Sequence, residues 1–201
     1  MVTEEIEWTW AERPPTTDLR LPNVLLLGDS ITRAYYPDVA RELRGRANCY
    51  LFATSASSGD PRLALQLQSY FNMVRVSFSI IHFNNGMHGW GYSEAQYADG
   101  LPELVAELRK NAPGAKLIWA NTTPVRKDSK SGGASNARVE ARNALAAKLM
   151  RADHIPTDDQ YTLMAAHADL HSDDVHYTGA GCALQAKQVV RLIAPSLPQP
   201  R

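Results

Sequence analysis

The chain alternates between short apolar runs and longer stretches with an apolar residue every three or four positions. "NVLLL" at 23–27, "ANCYLFAT" at 47–54, "FSIIHF" at 78–83 and "AKLIWANTT" at 115–123 hold the apolar runs. These runs are continuous rather than alternating, the pattern of strands buried on both faces. Between them, residues 31–44, 62–71, 93–110, 136–150 and 178–194 carry helical periodicity. Gly45 is a stop signal for the first helix, and Ser93 with Gln96 forms a capping box at the start of the third. A weak short strand is expected around Ile155. Strand and helix in alternation predict a mostly parallel, roughly five-stranded sheet with helices on both faces, a three-layer α/β/α domain. Residues 1–22, with Trp8, Trp10 and Pro14-Pro15, read as an arm packed on a domain spanning 23–201. The alternate tryptophans suit either a short strand or the edge of a lid.

In a sheet of this kind, ligands bind in the loops that leave the carboxyl ends of the strands. The loop after the first strand carries Asp29 and Ser30, and the one after the second, "SASSGDP", carries Gly59. The loop after the third, "NNGMHGWGYS", carries Asn84, Asn85, His88 and Trp90. A polar, glycine-rich loop, "PVRKDSKSGGAS", follows the fourth strand, and "HADLHSDDVHYTGAG" precedes the last helix, with Asp173 and His176 three apart. Together they offer a hydroxyl, an imidazole, a carboxylate and amide donors at one sheet edge. Acyl transfer needs those parts: a hydroxyl that attacks, a base that takes its proton, an acceptor that orients the base, and donors for the oxyanion. Each residue has an ordinary structural role to set beside the chemical one. Asp29 and Ser30 are good helix caps, Gly59 precedes a helix that begins at Pro61, and Asn85-Gly86 is a tight-turn pair. His82, inside an apolar strand, reads as a core histidine.

Taken together, "GDSIT" at 28–32, Gly59 and "DDVH" at 173–176 resemble the blocks of the SGNH hydrolases, the GDSL-type esterases and lipases. The resemblance spans residues 23–193 and implies a flavodoxin-like strand order. It implies Ser30 as nucleophile, His176 as base and Asp173 as its orienting carboxylate. It also implies an oxyanion hole from the N–H groups of Ser30 and Gly59 with an asparagine side chain, and no metal or cofactor. The third block departs from the family's Gly-x-Asn-Asp, reading "FNNGMHGW"; Asn85 fits the asparagine position, with Asn84 as the alternative. The second block lacks the asparagine usual upstream of Gly59. Asp29, His88 and Trp90 are the candidate substrate contacts.

Composition narrows the partners. Lys plus Arg and Asp plus Glu are both 21, so the formal net charge is zero and nothing recommends nucleic acid or an anionic membrane. The start, "MVTEEIEWTW", lacks the features of a signal peptide, so the chain as given reads as cytoplasmic. Cys49 and Cys182 match no metal or redox spacing. The expectation is a serine esterase for short-chain esters, with acetyl esters of saccharides first. The rivals are an O-acyltransferase, a lysophospholipase or thioesterase, and a binding module on the same scaffold. A phosphate or flavin binder lacks the glycine-rich phosphate loop it needs.

Overall fold

Val24, Leu25, Leu26 and Leu27 are all fully buried, because the strand they form lies at the centre of the sheet with helices on both sides. In the computed structural model, residues 2–130 and 133–198 are described. Met1, residues 199–201 at the end of the expected domain, and Ser131 and Gly132 of the glycine-rich loop lie outside them. The strands are β1 (Thr9–Glu12), β2 (Asn23–Gly28), β3 (Asn48–Thr54), β4 (Ile80–Phe83), β5 (Lys116–Ala120) and β6 (Thr157–Asp158). The helices are α1 (Ser30–Glu42), α2 (Arg62–Val74), α3 (Glu94–Asn111), α4 (Asn136–Ala152), α5 (Gln160–Ala165) and α6 (Gly179–Ile193).

The sheet runs β1-β3-β2-β4-β5-β6. Its five parallel strands, counted among themselves, have the order 2-1-3-4-5, the doubly wound arrangement of the flavodoxin type. The sixth strand, β1, comes from the arm and pairs antiparallel with β3, Thr9 opposite Thr54 and Glu12 opposite Leu51. The sheet thus has one strand more than the apolar runs predict, because β1 is an edge strand with three of its four residues exposed and has no apolar run to announce it. The last parallel strand is only two residues long, at Thr157–Asp158 rather than at Ile155.

Successive residues of each strand point to opposite faces, and two cores result. Val24 and Leu26 join Leu51, Ile80 and Ile118 under α1 and α6, whereas Leu25 and Leu27 join Phe52, Ile81, Phe83 and Trp119 under α2 and α3. Cys49 and Cys182 are free and buried, and burial pushes the Cys49 thiol up to about 12. Among the described residues no helix is long and apolar enough to cross a membrane.

Candidate active site

The β2–α1 junction places Ser30. Asp29 ends the strand segment in an extended conformation and caps α1, its Oδ1 accepting the Ile31 N–H at 2.9 Å. Ser30 is therefore the first helical residue, and its own N–H belongs to the first turn, where no intrahelical acceptor exists. Asp29 is buried and turned into the protein. This corrects the expectation that it contacts substrate: its carboxylate is used as a cap.

The segment before α6 brings the imidazole. Ser172 N–H donates to the His176 carbonyl at 2.9 Å, and a β-bridge joins His171 to Tyr177, so residues 171–177 close into a tight loop. Its base is anchored on Pro124, whose carbonyl accepts the Tyr177 hydroxyl at 2.9 Å and lies 3.2 Å from His171 Nε2. Within the loop, Asp173 Oδ1 accepts the N–H groups of Val175 and His176, both at 2.7 Å. Its Oδ2 lies 2.9 Å from His176 Nδ1, and His176 Nε2 lies 2.7 Å from Ser30 Oγ. A carboxylate can only accept, so Nδ1 carries the proton and Nε2 is left to accept from the Ser30 hydroxyl. Burial pushes the Asp173 carboxyl up, but the two backbone N–H groups and the imidazole outweigh it and hold it at about 2. Asp174 turns away to Arg126, whose Nη2 is 3.1 Å from its Oδ1 and whose N–H donates to its carbonyl at 2.8 Å.

The two asparagines after β4 diverge. Asn84 donates to the Ala120 carbonyl (2.9 Å) and to Thr122 Oγ1 (3.1 Å), which spends both amide hydrogens at the β5 end. Asn85 is turned to the β3–α2 loop, where Oδ1 accepts the Ser58 N–H at 2.7 Å and Nδ2 donates one hydrogen to the Ala56 carbonyl at 2.9 Å. That clasp fixes the loop carrying Gly59. Gly59 packs at the start of α3, where a Cβ would stand 3.2 Å from the Tyr92 ring and 3.3 Å from the Gln96 carbonyl oxygen.

Ser30 and His176 open into a cleft of about 520 Å³. Met87, His88 and Trp90 line one side and Val175 another, so the structure brings His88 and Trp90 to the same cleft as Ser30. Gly59, Asn84, Asn85 and Asp29 are not part of that lining. Residues the sequence did not single out also appear there: Thr3, Glu4 and Glu5 of the arm. A further one lies beneath. Arg142 is fully buried and its guanidinium stacks 4.1 Å from the Trp90 ring. His82 is a core residue, as its apolar strand suggests, with its Nε2 at 2.8 Å from the buried Asp158.

Several solved structures share this architecture. A GDSL-like lipase from Bacteroides thetaiotaomicron VPI-5482 superposes with a TM-score of 0.69 at 17% identity, covering 87% of this chain and 89% of that one. A lipase/acylhydrolase from Enterococcus faecalis gives 0.69 at 16% identity, over 90% and 99%. A carbohydrate esterase family 3 protein from Talaromyces cellulolyticus gives 0.65 at 17% identity, over 88% and 98%. At these identities the likeness is one of fold. No curated protein is similar enough in sequence to register as a relative. Residues 26–184 match the GDSL-like Lipase/Acylhydrolase family, a stretch that holds Ser30, Asp173 and His176, and the chain belongs to that family.

Proposed function

We propose that the protein is a serine esterase that hydrolyses short-chain carboxylic esters, with acetyl esters of saccharides as the first class of substrate. The observation that carries this reading is the unbroken relay from Ser30 Oγ through the His176 ring to Asp173, with steps of 2.7 and 2.9 Å. Ser30 Oγ attacks the ester carbonyl carbon while His176 Nε2 takes its proton. The tetrahedral anion faces the N–H groups of Ser30 and Gly59 and the second amide hydrogen of Asn85, the hydrogen left over after its bond to Ala56. Asn84 has no such hydrogen to offer, which favours Asn85 over its neighbour. Collapse of the anion breaks the bond to the alcohol oxygen, which leaves with the proton from Nε2. Water then attacks the acyl-enzyme by the same proton path and frees Ser30.

The lining supports a small acyl group on a neutral alcohol. The cleft has the size of a small-molecule site, and Met87, Trp90, Ala134 and Val175 give it apolar surface. Glu4 and Glu5 give it negative charge, which opposes the phosphates of a lysophospholipid or a coenzyme thioester. A saccharide offers hydroxyls and apolar ring faces instead. That one structural neighbour is a carbohydrate esterase is compatible with this choice, since the fold accommodates such esters.

The test is a series of p-nitrophenyl esters from acetyl to octanoyl, assayed on wild type and Ser30→Ala. The expected result is a preference for acetyl or butyryl and loss of nearly all turnover in the variant, of the order of 10³-fold or more. Turnover unchanged by Ser30→Ala removes Ser30 from the reaction. Product ratios with and without an added sugar alcohol separate hydrolysis from acyl transfer.

A further inference from the structure

The antiparallel pairing of β1 with β3 has a consequence for the cleft. Thr9 lies opposite Thr54, the last residue of β3, so residues 2–8 are delivered to the carboxyl rim where Ser30 sits. They are tied down there along their length. Val2 N–H donates to the Tyr92 hydroxyl at 2.8 Å, and Trp8 N–H donates to Ser55 Oγ at 2.9 Å. Between them, Glu4 grips the β4–α3 loop at two points: Oε1 accepts the Gly89 N–H at 2.7 Å and Oε2 lies 2.8 Å from His88 Nδ1. The Trp8 ring stands edge-on to the His88 ring at 5.7 Å. Thus the cleft holds two carboxylate–imidazole pairs, Asp173 with His176 and Glu4 with His88. In the first, the remaining ring nitrogen meets Ser30. In the second, His88 Nε2 has no hydrogen-bond partner among the described residues, and the ring lines the cleft.

We propose that Glu4 is a positioning residue for the substrate's alcohol half: it holds His88 so that Nε2–H points into the cleft and donates to a hydroxyl or ring oxygen of a neutral, polyhydroxylated alcohol. The arm and the β4–α3 loop together then form the alcohol subsite. This inference rests on the reading of Ser30 as the nucleophile of an esterase and names what its leaving group meets. Charge supports the donor role. Burial alone pushes the His88 imidazole down, but the Glu4 hydrogen bond and the charges of Asp29, Glu4 and Glu7 raise it above its ordinary value, favouring the doubly protonated ring. A saccharide hydroxyl matches such a donor, whereas p-nitrophenol presents none.

The experiment compares p-nitrophenyl acetate with a monoacetylated methyl glycoside on wild type, Glu4→Gln, His88→Gln and the double variant. In Glu4→Gln the ratio of kcat/KM for the glycoside to that for p-nitrophenyl acetate falls about tenfold, through KM, the size of one hydrogen bond to a charged group. The rise in glycoside KM as His88 loses its proton begins at lower pH in Glu4→Gln than in wild type. The double variant is no worse than His88→Gln alone, because Glu4 acts through His88. A selectivity ratio unchanged in Glu4→Gln, or losses that simply add in the double variant, overturns the role of Glu4 and leaves the reading of Ser30 standing. Esterase activity that survives Ser30→Ala overturns that reading and this one with it.

Discussion

Replacing Arg142 by methionine asks whether one buried cation holds the loop that faces Ser30. Arg142 sits on the inward stripe of α4 with Val139, Ala146 and Met150, and its side chain is fully buried. Nη1 donates to the carbonyls of Gly86 (3.0 Å) and His88 (2.7 Å), and Nη2 to those of Gly89 (3.0 Å) and Tyr92 (3.4 Å). The guanidinium also lies over the rings of Trp90 and Tyr97, at 4.1 and 5.0 Å. Methionine keeps much of the apolar volume and donates nothing. Each buried carbonyl left without a donor costs ~1–3 kcal/mol. Against this, the variant no longer has to desolvate a cation, an expense large enough that burial lowers the Arg142 pKa to about 10. Removing one member of a buried charged network costs ~3–5 kcal/mol on balance, and the lower end, about 3 kcal/mol, is expected where no full ion pair is broken. Urea unfolding followed by tryptophan fluorescence reads this as a lower midpoint with an unchanged slope. Activity measured far below the midpoint should fall as well, because His88 and Trp90 lose their tether. A stability loss under about 0.5 kcal/mol, the range of an ordinary surface substitution, refutes the reasoning. A large loss with kcat/KM untouched refutes its second half, that Arg142 positions the cleft.

Two further outcomes follow from named contacts. Gly100 lies inside α3, where alanine ordinarily stabilises a helix by ~1 kcal/mol, yet a Cβ there would stand 1.7 Å from the Ser58 carbonyl oxygen and 3.2 Å from Gly59 N. Gly100→Ala should therefore lower Tm and also kcat, by displacing the loop that carries Gly59; a raised Tm contradicts this. Asp173→Asn should cut kcat by ~10³–10⁴-fold, because the amide no longer enforces the Nδ1–H form of His176. Since the Asp173 carboxyl is held at about 2, the wild type keeps that carboxylate ionised down to mildly acid pH, and a loss of activity at pH 4 in the wild type arises elsewhere. A kcat in Asp173→Asn equal to that of the wild type rules Asp173 out as the orienting group.

What the sequence disclosed and what it withheld divide along a physical line. Residues 24–27, 80–83 and 117–120 lie in strands buried on both faces and therefore announce themselves as apolar runs. Ser93 and Gln96 announce the start of α3 because a capping box is a local chemical bargain, and both of its hydrogen bonds are present. Asp173 and His176 were legible because they share one short loop. Arg142 was not, since a cation in an inward stripe looks like the solvated side of a helix, and only the carbonyls it meets reveal its place. Glu4 was hidden for a similar reason. An acidic residue near a chain start has no partner in its own neighbourhood, and Gly89 lies 85 positions away. Asp29 misled in the opposite direction: beside Ser30 it suggests chemistry, and its geometry is that of a cap.

Only one of the reacting groups sits on a rigid element. Ser30 is fixed by β2, by the Asp29 cap and by the first turn of α1, while His176, 146 positions away, rides on a loop, as do His88 and Gly59. Loops usually owe their shape to little. Here each is tied at a distance by a side chain that does no chemistry: His171 and Tyr177 pin the 171–177 loop to Pro124, Arg142 gathers the carbonyls of residues 86–92, and Asn85 clasps the loop ahead of Gly59. A shift of about 1 Å in a reacting group can cost on the order of a hundredfold in rate. Substitutions at these anchors should therefore lower activity at positions where a contact map of substrate alone would show nothing. The arm fits the same logic, because Glu4 ties a loop and lines the cleft at once. The site is built as a set of tethered loops around one fixed hydroxyl, and its precision resides in the tethers.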